Sequence, residues 1–271
     1  MKSENYEPDA SKDQHIMEDG EILERMVLLG EVKGGDHVLE IGPATGNLTR
    51  HILKTGAKVT AVERDKNFER ILKREFSNEK NFELIFGNAL DVMGKIRFNK
   101  LISNIPYSIC EPLINKLMRK DFDLAVLSLP EGFARILLAR PNERRYSKLS
   151  LKSQSFFRVS IEFKIPRSAF KPEPRTESVI AVIKPLSKND YLKNHEKYVL
   201  REIFLQPKMK LKNALREAII NLNKNILGRN FTKNLAREVI RGMKLEKDML
   251  EKRVNEMNTK DFRKLLCSLS L

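Results

Sequence analysis

The 271-residue sequence contains no run of eighteen apolar residues, so a membrane-spanning helix is not expected. Its two cysteines, Cys110 and Cys267, lie far apart and lack metal-ligand spacing, so they read as separate thiols. Four scattered histidines (His15, His37, His51 and His195) form no metal motif, and no metal is expected. Residues 1–13 are polar and mildly acidic, without the basic and apolar regions of a signal peptide, which places the protein in the cytoplasm. No repeat or low-complexity segment is evident.

Positive charge is abundant. The net charge is +15, a balance that favours a polyanionic partner, either nucleic acid or a membrane surface. Residues 185–271 hold twenty basic against ten acidic residues, and residues 133–175 hold eleven against three. A lysine-rich solvated surface is the plainer alternative. With 41% hydrophobic residues there is enough apolar material for a buried core.

Strand and helix patterns alternate through the first half. Short apolar runs at 37–41, 58–62, 82–86, 100–103 and 123–128 read as strands. Segments 20–32, 46–54, 65–76, 109–119 and 131–139 read as helices. This alternation implies an α/β fold with a mostly parallel, doubly wound sheet. Residues 156–165 and 177–184 alternate as antiparallel strands at the sheet edge. Only helical patterns follow residue 190. The expected organisation is a catalytic domain over residues 1–185 and a small basic helical domain over 186–271.

Glu40-Ile-Gly42-Pro-Ala44-Thr-Gly46 sits at the first strand-to-helix turn. Glycines here let the backbone turn tightly and approach a ligand. A dinucleotide fingerprint needs glycine at offsets 0, 2 and 5, but Ala44 and Asn47 stand at the last two, which disfavours a dehydrogenase. The sequence fits the looser Glu-x-Gly-x-x-x-Gly turn of methyltransferases. Glu63 ends the second strand, where a carboxylate can accept ribose hydroxyl hydrogens. Asn88, after the third strand, can contact the adenine amine of a nucleoside cofactor, or simply form a turn.

Ser103-Asn104-Ile105-Pro106-Tyr107 follows the fourth strand and is the most informative stretch. An exocyclic base amine is a poor nucleophile because its lone pair is delocalised into the ring. Two acceptors that grip its hydrogens favour pyramidal nitrogen and stabilise the growing positive charge. The Asn104 side-chain oxygen and the Ile105 carbonyl suit this task. Pro106 stiffens the turn that aims them, and Tyr107 offers a π face to the base.

In motif order the chain resembles the ribosomal RNA adenine N6,N6-dimethyltransferases, as a divergent, archaeal-type member or paralogue. The resemblance rests on Asp13-Gln-His-Ile-Met17, Glu40-Ile-Gly42-Pro, Glu63, Gly87-Asn-Ala-Leu90, Asn104-Ile-Pro-Tyr107, Tyr146-Ser-Lys-Leu-Ser150 and Phe170-Lys-Pro-Glu-Pro-Arg-Thr-Glu-Ser178. It implies a Rossmann-like class I methyltransferase fold, S-adenosyl-L-methionine as cofactor, and rRNA of the small ribosomal subunit or its precursor as partner. It also implies that Gln14, His15 and Met17 contact the cofactor together with Gly42, Glu63, Asn88 and Asn104. Phe170 would stack on a flipped-out base opposite Tyr107; from physics alone Phe170 reads as a packed loop residue. The chain departs from the family pattern at Ile16-Met17, Ala44, Asn88 and Leu129-Pro-Glu-Gly-Phe133.

The leading reading is therefore N6 dimethylation of adenosine in small-subunit rRNA. N4 methylation of cytidine on the same scaffold is chemically equivalent, and a non-catalytic RNA-binding assembly factor is the rival of another class. Arg135, Arg140, Arg144, Arg145, Lys148 and Lys152 are the expected phosphate-contacting residues, and a monomer is expected.

Overall fold

The computed structural model describes residues 8–269. The first seven residues of the polar N-terminus therefore lie outside the described residues. Packing divides the chain into two compact units. One comprises residues 1–134 and 159–184; the other comprises 135–158 and 185–271.

The first unit is built on a sheet of seven strands, with two further short strands paired separately. In chain order the strands are β1 (Ile16–Met17), β2 (His37–Ile41), β3 (Lys58–Glu63), β4 (Phe82–Phe86), β5 (Lys100–Asn104), β6 (Leu124–Pro130), β7 (Phe157–Ile165), β8 (Phe170–Lys171) and β9 (Ser178–Pro185). The large sheet runs β4-β3-β2-β5-β6-β9-β7. Pairing is parallel from β4 to β6, and β9 runs antiparallel to β6. The order reverses between β2 and β5, leaving a crevice at the carboxyl ends of those strands, where open α/β sheets bind ligands. Runs such as Val38-Leu39 and Leu124 to Leu129 are buried throughout because helices cover both faces of a parallel sheet. The edge strand β7 alternates partly buried and exposed residues between its buried ends. By contrast β9 lies inside the sheet and is buried almost continuously, so it does not alternate.

One element went unanticipated. The strap of residues 9–17 ends in β1, which pairs antiparallel with β8, setting Met17 against Phe170. Both side chains join the core of Met26, Val38, Ile52 and Ile102.

The second unit is helical. It takes in residues 135–158, expected in the first domain, together with 185–271. The reason is local and polar. Ser147 caps the helix Lys148–Phe156 through a capping box with Ser150. The ammonium of Lys148 donates to the carbonyls of Val254, Asn255 and Met257 at 3.2, 3.3 and 3.0 Å. Arg263 donates to the Pro141 carbonyl and lies over the Tyr146 ring. Long-range pairing of this kind leaves no trace in local periodicity.

Candidate active site

The crevice opens into a cleft and an adjoining recess. Gln14, Gly42, Glu63 and Pro106 line both. Four segments converge on them: the strap, the β2 turn, the end of β3 and the turn after β5.

The β2 turn depends on two left-handed glycines. Gly42 has φ +69° and donates its N–H to the Val62 carbonyl. Gly46 has φ +80°, and a Cβ there would come 2.4 Å from the Phe76 ring. Ala44 also adopts a positive φ, +50°, where the family pattern has glycine. Its N–H donates to Glu63 Oε2 at 3.1 Å, and the N–H groups of Arg64 and Asp65 donate to Oε1, each at 2.8 Å. Burial pushes the Glu63 carboxyl above its ordinary range, with these three donors working the other way. Glu40, the penultimate residue of β2, is buried and accepts a hydrogen bond from Thr49 at 2.6 Å. Burial pushes it up to about 8, and Glu63 adds to the effect.

The turn after β5 carries the proposed chemistry. Asn104 Nδ2 donates to the His15 carbonyl at 2.7 Å. That bond fixes which way the amide faces and leaves Oδ1 without a protein partner among the described residues. The Ile105 side chain is buried, and its carbonyl likewise has no partner among them. Pro106, at φ −55° and ψ 133°, turns the chain into Tyr107. The Tyr107 hydroxyl bonds to Ser178 Oγ, and its ring stacks on His15 with centroids 5.8 Å apart. His15 Nδ1 donates to the Pro172 carbonyl at 2.8 Å, which sets the tautomer. Asn104, Ile105, Pro106 and Tyr107 thus form one wall of the cleft, with His15 and Met17 beside them.

Three expectations need correction. Phe170 is 3% exposed and packed in the core against Met17, so it does not face Tyr107 across an open space; the packed-loop reading describes it. Gln14 lines both clefts, but its Nε2 donates to Asp65 and its Oε1 accepts from the Asp9 N–H. It clamps the strap. Lys148 is committed to three carbonyls, as described above, and is no free phosphate contact. Asn88 lines the recess with Oδ1 capping the helix Ala89–Val92 through Leu90 N–H at 3.0 Å. The atom left without a protein partner is a donor, Nδ2, which suits a ring nitrogen better than an amine. Arg140, Arg144 and Arg145 are exposed and make no ion pair among the described residues, and Arg135 is exposed. Lys152 lies with its ammonium 5.9 Å from the Phe204 ring centroid. The polar clamps Asp13, Asn47 and Ser178 escaped the sequence reading. Asp13 accepts from Ser108 N–H at 2.7 Å and Asn47 donates to the Met17 carbonyl at 3.0 Å. Only the presence of Asp13 and Ser178 in the quoted motifs hinted at them.

The donor set fits a cationic nucleoside. Asp13, Glu40 and Glu63 line the cleft without any Lys or Arg. The recess adds apolar surface from Val62, Ala89 and Ile109, together with the cations Lys12, Arg64 and Lys66 and the carboxylate Asp65. Among the described residues no group of His, Cys, Asp or Glu could hold a metal, and no helix is long and apolar enough to cross a membrane.

Sheet order, acidic cleft and free acceptor pair together define a class I S-adenosylmethionine-dependent methyltransferase. Residues 9–263 match the family model described as ribosomal RNA adenine dimethylase, and the chain belongs to that family, whose methyl donor is S-adenosylmethionine. Among relatives, a protein of Thermococcus sibiricus named probable ribosomal RNA small subunit methyltransferase A is 34% identical over 79% of this chain and 77% of its own length. A Methanosarcina barkeri protein of the same name is 34% identical over 92% of this chain and 83% of its own. A crystal structure of a dimethyladenosine transferase from Plasmodium falciparum superposes with a TM-score of 0.63, at 30% identity, covering 93% of this chain and 96% of that one.

Proposed function

We propose that this protein dimethylates N6 of adenosine in small-subunit rRNA, acting as a monomer. The observation that carries the reading is the acceptor pair: Asn104 Oδ1 and the Ile105 carbonyl, both without partners among the described residues, on a turn whose amide is pinned to His15. When bound, S-adenosylmethionine supplies a methyl group made electrophilic by its sulfonium. The chain's own residues do the rest. Asn104 Oδ1 and the Ile105 carbonyl each accept one hydrogen of the target amine. That grip turns the nitrogen lone pair out of the ring plane and stabilises the positive charge that grows on it. Tyr107 offers its ring face to the base, held in place by Ser178 and His15. After transfer the alkylated amine is an acidic ammonium and loses its proton to water, so no buried general base is needed.

The RNA grip is assigned to the basic second unit, with Arg140, Arg144 and Arg145 as phosphate contacts and Arg135 and Lys152 nearby in sequence. Residues 135–158 belong with 185–271 in this role, because the two segments pack as one body.

The test is nucleoside mass spectrometry after incubating unmodified small-subunit rRNA and the assembled particle with the protein and labelled S-adenosylmethionine. N6,N6-dimethyladenosine is the expected product. N4-methylated cytidine would keep the mechanism and replace the target. No label, with cofactor bound, would point to another RNA substrate, and failure to bind cofactor would favour an assembly factor.

A further inference from the structure

Glu40 has an unusual position for a carboxyl group. It is the penultimate residue of β2, inside the sheet, is 2% exposed, and lines the cleft. Only Oε2 is engaged, by the Thr49 hydroxyl at 2.6 Å; Oε1 has no partner among the described residues. The charged and titratable groups around it come from every side of the cleft. β3 contributes Glu63, the strap contributes Asp13 and His15, and the turn after β5 contributes Tyr107. The helix Asn47–Leu53 contributes Asn47 and Leu48 to the lining, and its Arg50 is turned to Glu75 and Asn47. The helix Gly20–Leu29 presents Leu23. No Lys or Arg lines the cleft itself; Lys12, Arg64 and Lys66 line the adjoining recess that Glu63 also borders, and neither Glu40 nor Glu63 has an ion-pair partner among the described residues. A second buried negative charge beside Glu63 is therefore uncompensated in the free protein.

We propose that Glu40 reads the charge of the cofactor: it stands as the neutral acid in the free protein and releases its proton to solvent when a cationic donor enters the cleft. The positive charge it meets comes from the donor's ammonium or its sulfonium. The two sources differ in consequence. Demethylation removes the sulfonium charge but keeps the ammonium. If Glu40 faces the sulfonium, it takes a proton back when the neutral sulfide product forms, which weakens product retention.

Calorimetric titration of the protein with S-adenosylmethionine, and separately with S-adenosylhomocysteine, in buffers of different ionisation enthalpy counts protons directly. At pH 6.5 the expected release is about one proton per donor bound, and affinity climbs about tenfold from pH 6 to 7, where the ligand's amino group stays protonated. Glu40→Gln, which keeps the Thr49 acceptor, abolishes the release and flattens the affinity over that range. Release with both ligands assigns the ammonium; release with S-adenosylmethionine alone assigns the sulfonium. Tight binding without proton release in the wild-type protein overturns the proposal, as does release that persists in Glu40→Gln. Either leaves the methyltransferase reading standing, because binding and methyl transfer are read separately.

Discussion

Lys148→Met separates two roles that a basic residue can play in this protein. The Lys148 ammonium donates to three backbone carbonyls of the segment joining the last two helices, at 3.0 to 3.3 Å, and lies 5.4 Å from the Phe262 ring centroid. A hydrogen bond to a charged group contributes about 1.5–3 kcal/mol when buried, and this site is only half-buried, so the low end applies to each. Desolvation of the ammonium, which lowers its pKa, offsets part of the sum. The net loss on substitution is about 2–4 kcal/mol. Urea unfolding measures it as a shift in midpoint at constant slope. Paired with it is Arg144→Gln/Arg145→Gln, whose side chains are exposed and make no ion pair among the described residues. That variant changes stability by no more than about 0.5 kcal/mol. Its RNA affinity instead loses salt dependence, by about 0.9 in the logarithmic slope per phosphate contact removed. If Lys148→Met keeps full stability and loses salt dependence, the structural assignment of Lys148 is wrong.

Asn104→Ala removes one of two acceptors at the reacting amine and lowers turnover by about 100- to 1000-fold, measured by single-turnover methylation at saturating cofactor. Gly46→Ala places a Cβ 2.4 Å from the Phe76 ring in a left-handed conformation. Left-handed strain and overpacking together cost roughly 2–4 kcal/mol, read by urea unfolding. Glu40 makes stability pH-dependent. Its folded value, about 8, lies above the ordinary 4.5, so the folded state holds the proton more tightly. The stability this contributes is complete below pH 4.5 and is lost as pH rises to 8. The wild type should therefore lose up to about 1.4 kcal/mol per pH unit relative to Glu40→Gln within that window. Parallel stability profiles for the two proteins would contradict it.

What was legible in the sequence follows from the range of the forces involved. Strands β2 to β6 and their helices are announced by local apolar runs, because each is buried by its immediate neighbours on a parallel sheet. The acceptor turn was legible too, since Asn104-Ile-Pro-Tyr107 sits directly after a strand end and its chemistry is carried by adjacent residues. The strap was not. It is held by Asn104 to His15, Ser108 to Asp13, Asn47 to Met17 and Gln14 to Asp65, each joining residues thirty or more positions apart. Individually these are single polar residues in ordinary turns. The assignment of residues 135–158 failed for the same reason: Lys148 and Arg263 reach partners more than a hundred positions away.

Charge is sorted within the molecule according to ligand. The chain as a whole carries +15, yet the cleft at the reacting centre is lined by Asp13, Glu40 and Glu63 without any Lys or Arg, and the nearby cations Lys12, Arg64 and Lys66 line the adjoining recess. A cleft sharing the basic character of the rest would repel a cationic donor and hold rRNA phosphate in its place. Acidic walls exclude phosphate from the reacting centre by like-charge repulsion and low dielectric. The same walls carry a penalty, because two buried carboxylates repel each other. A proton on Glu40 relieves that repulsion until a cation arrives. Replacing Glu63 with Gln removes the neighbour that raises Glu40, so the Glu40 carboxyl should titrate lower in Glu63→Gln, as read by its carbon-13 shift. A titration unchanged by that substitution would mean that burial alone sets it.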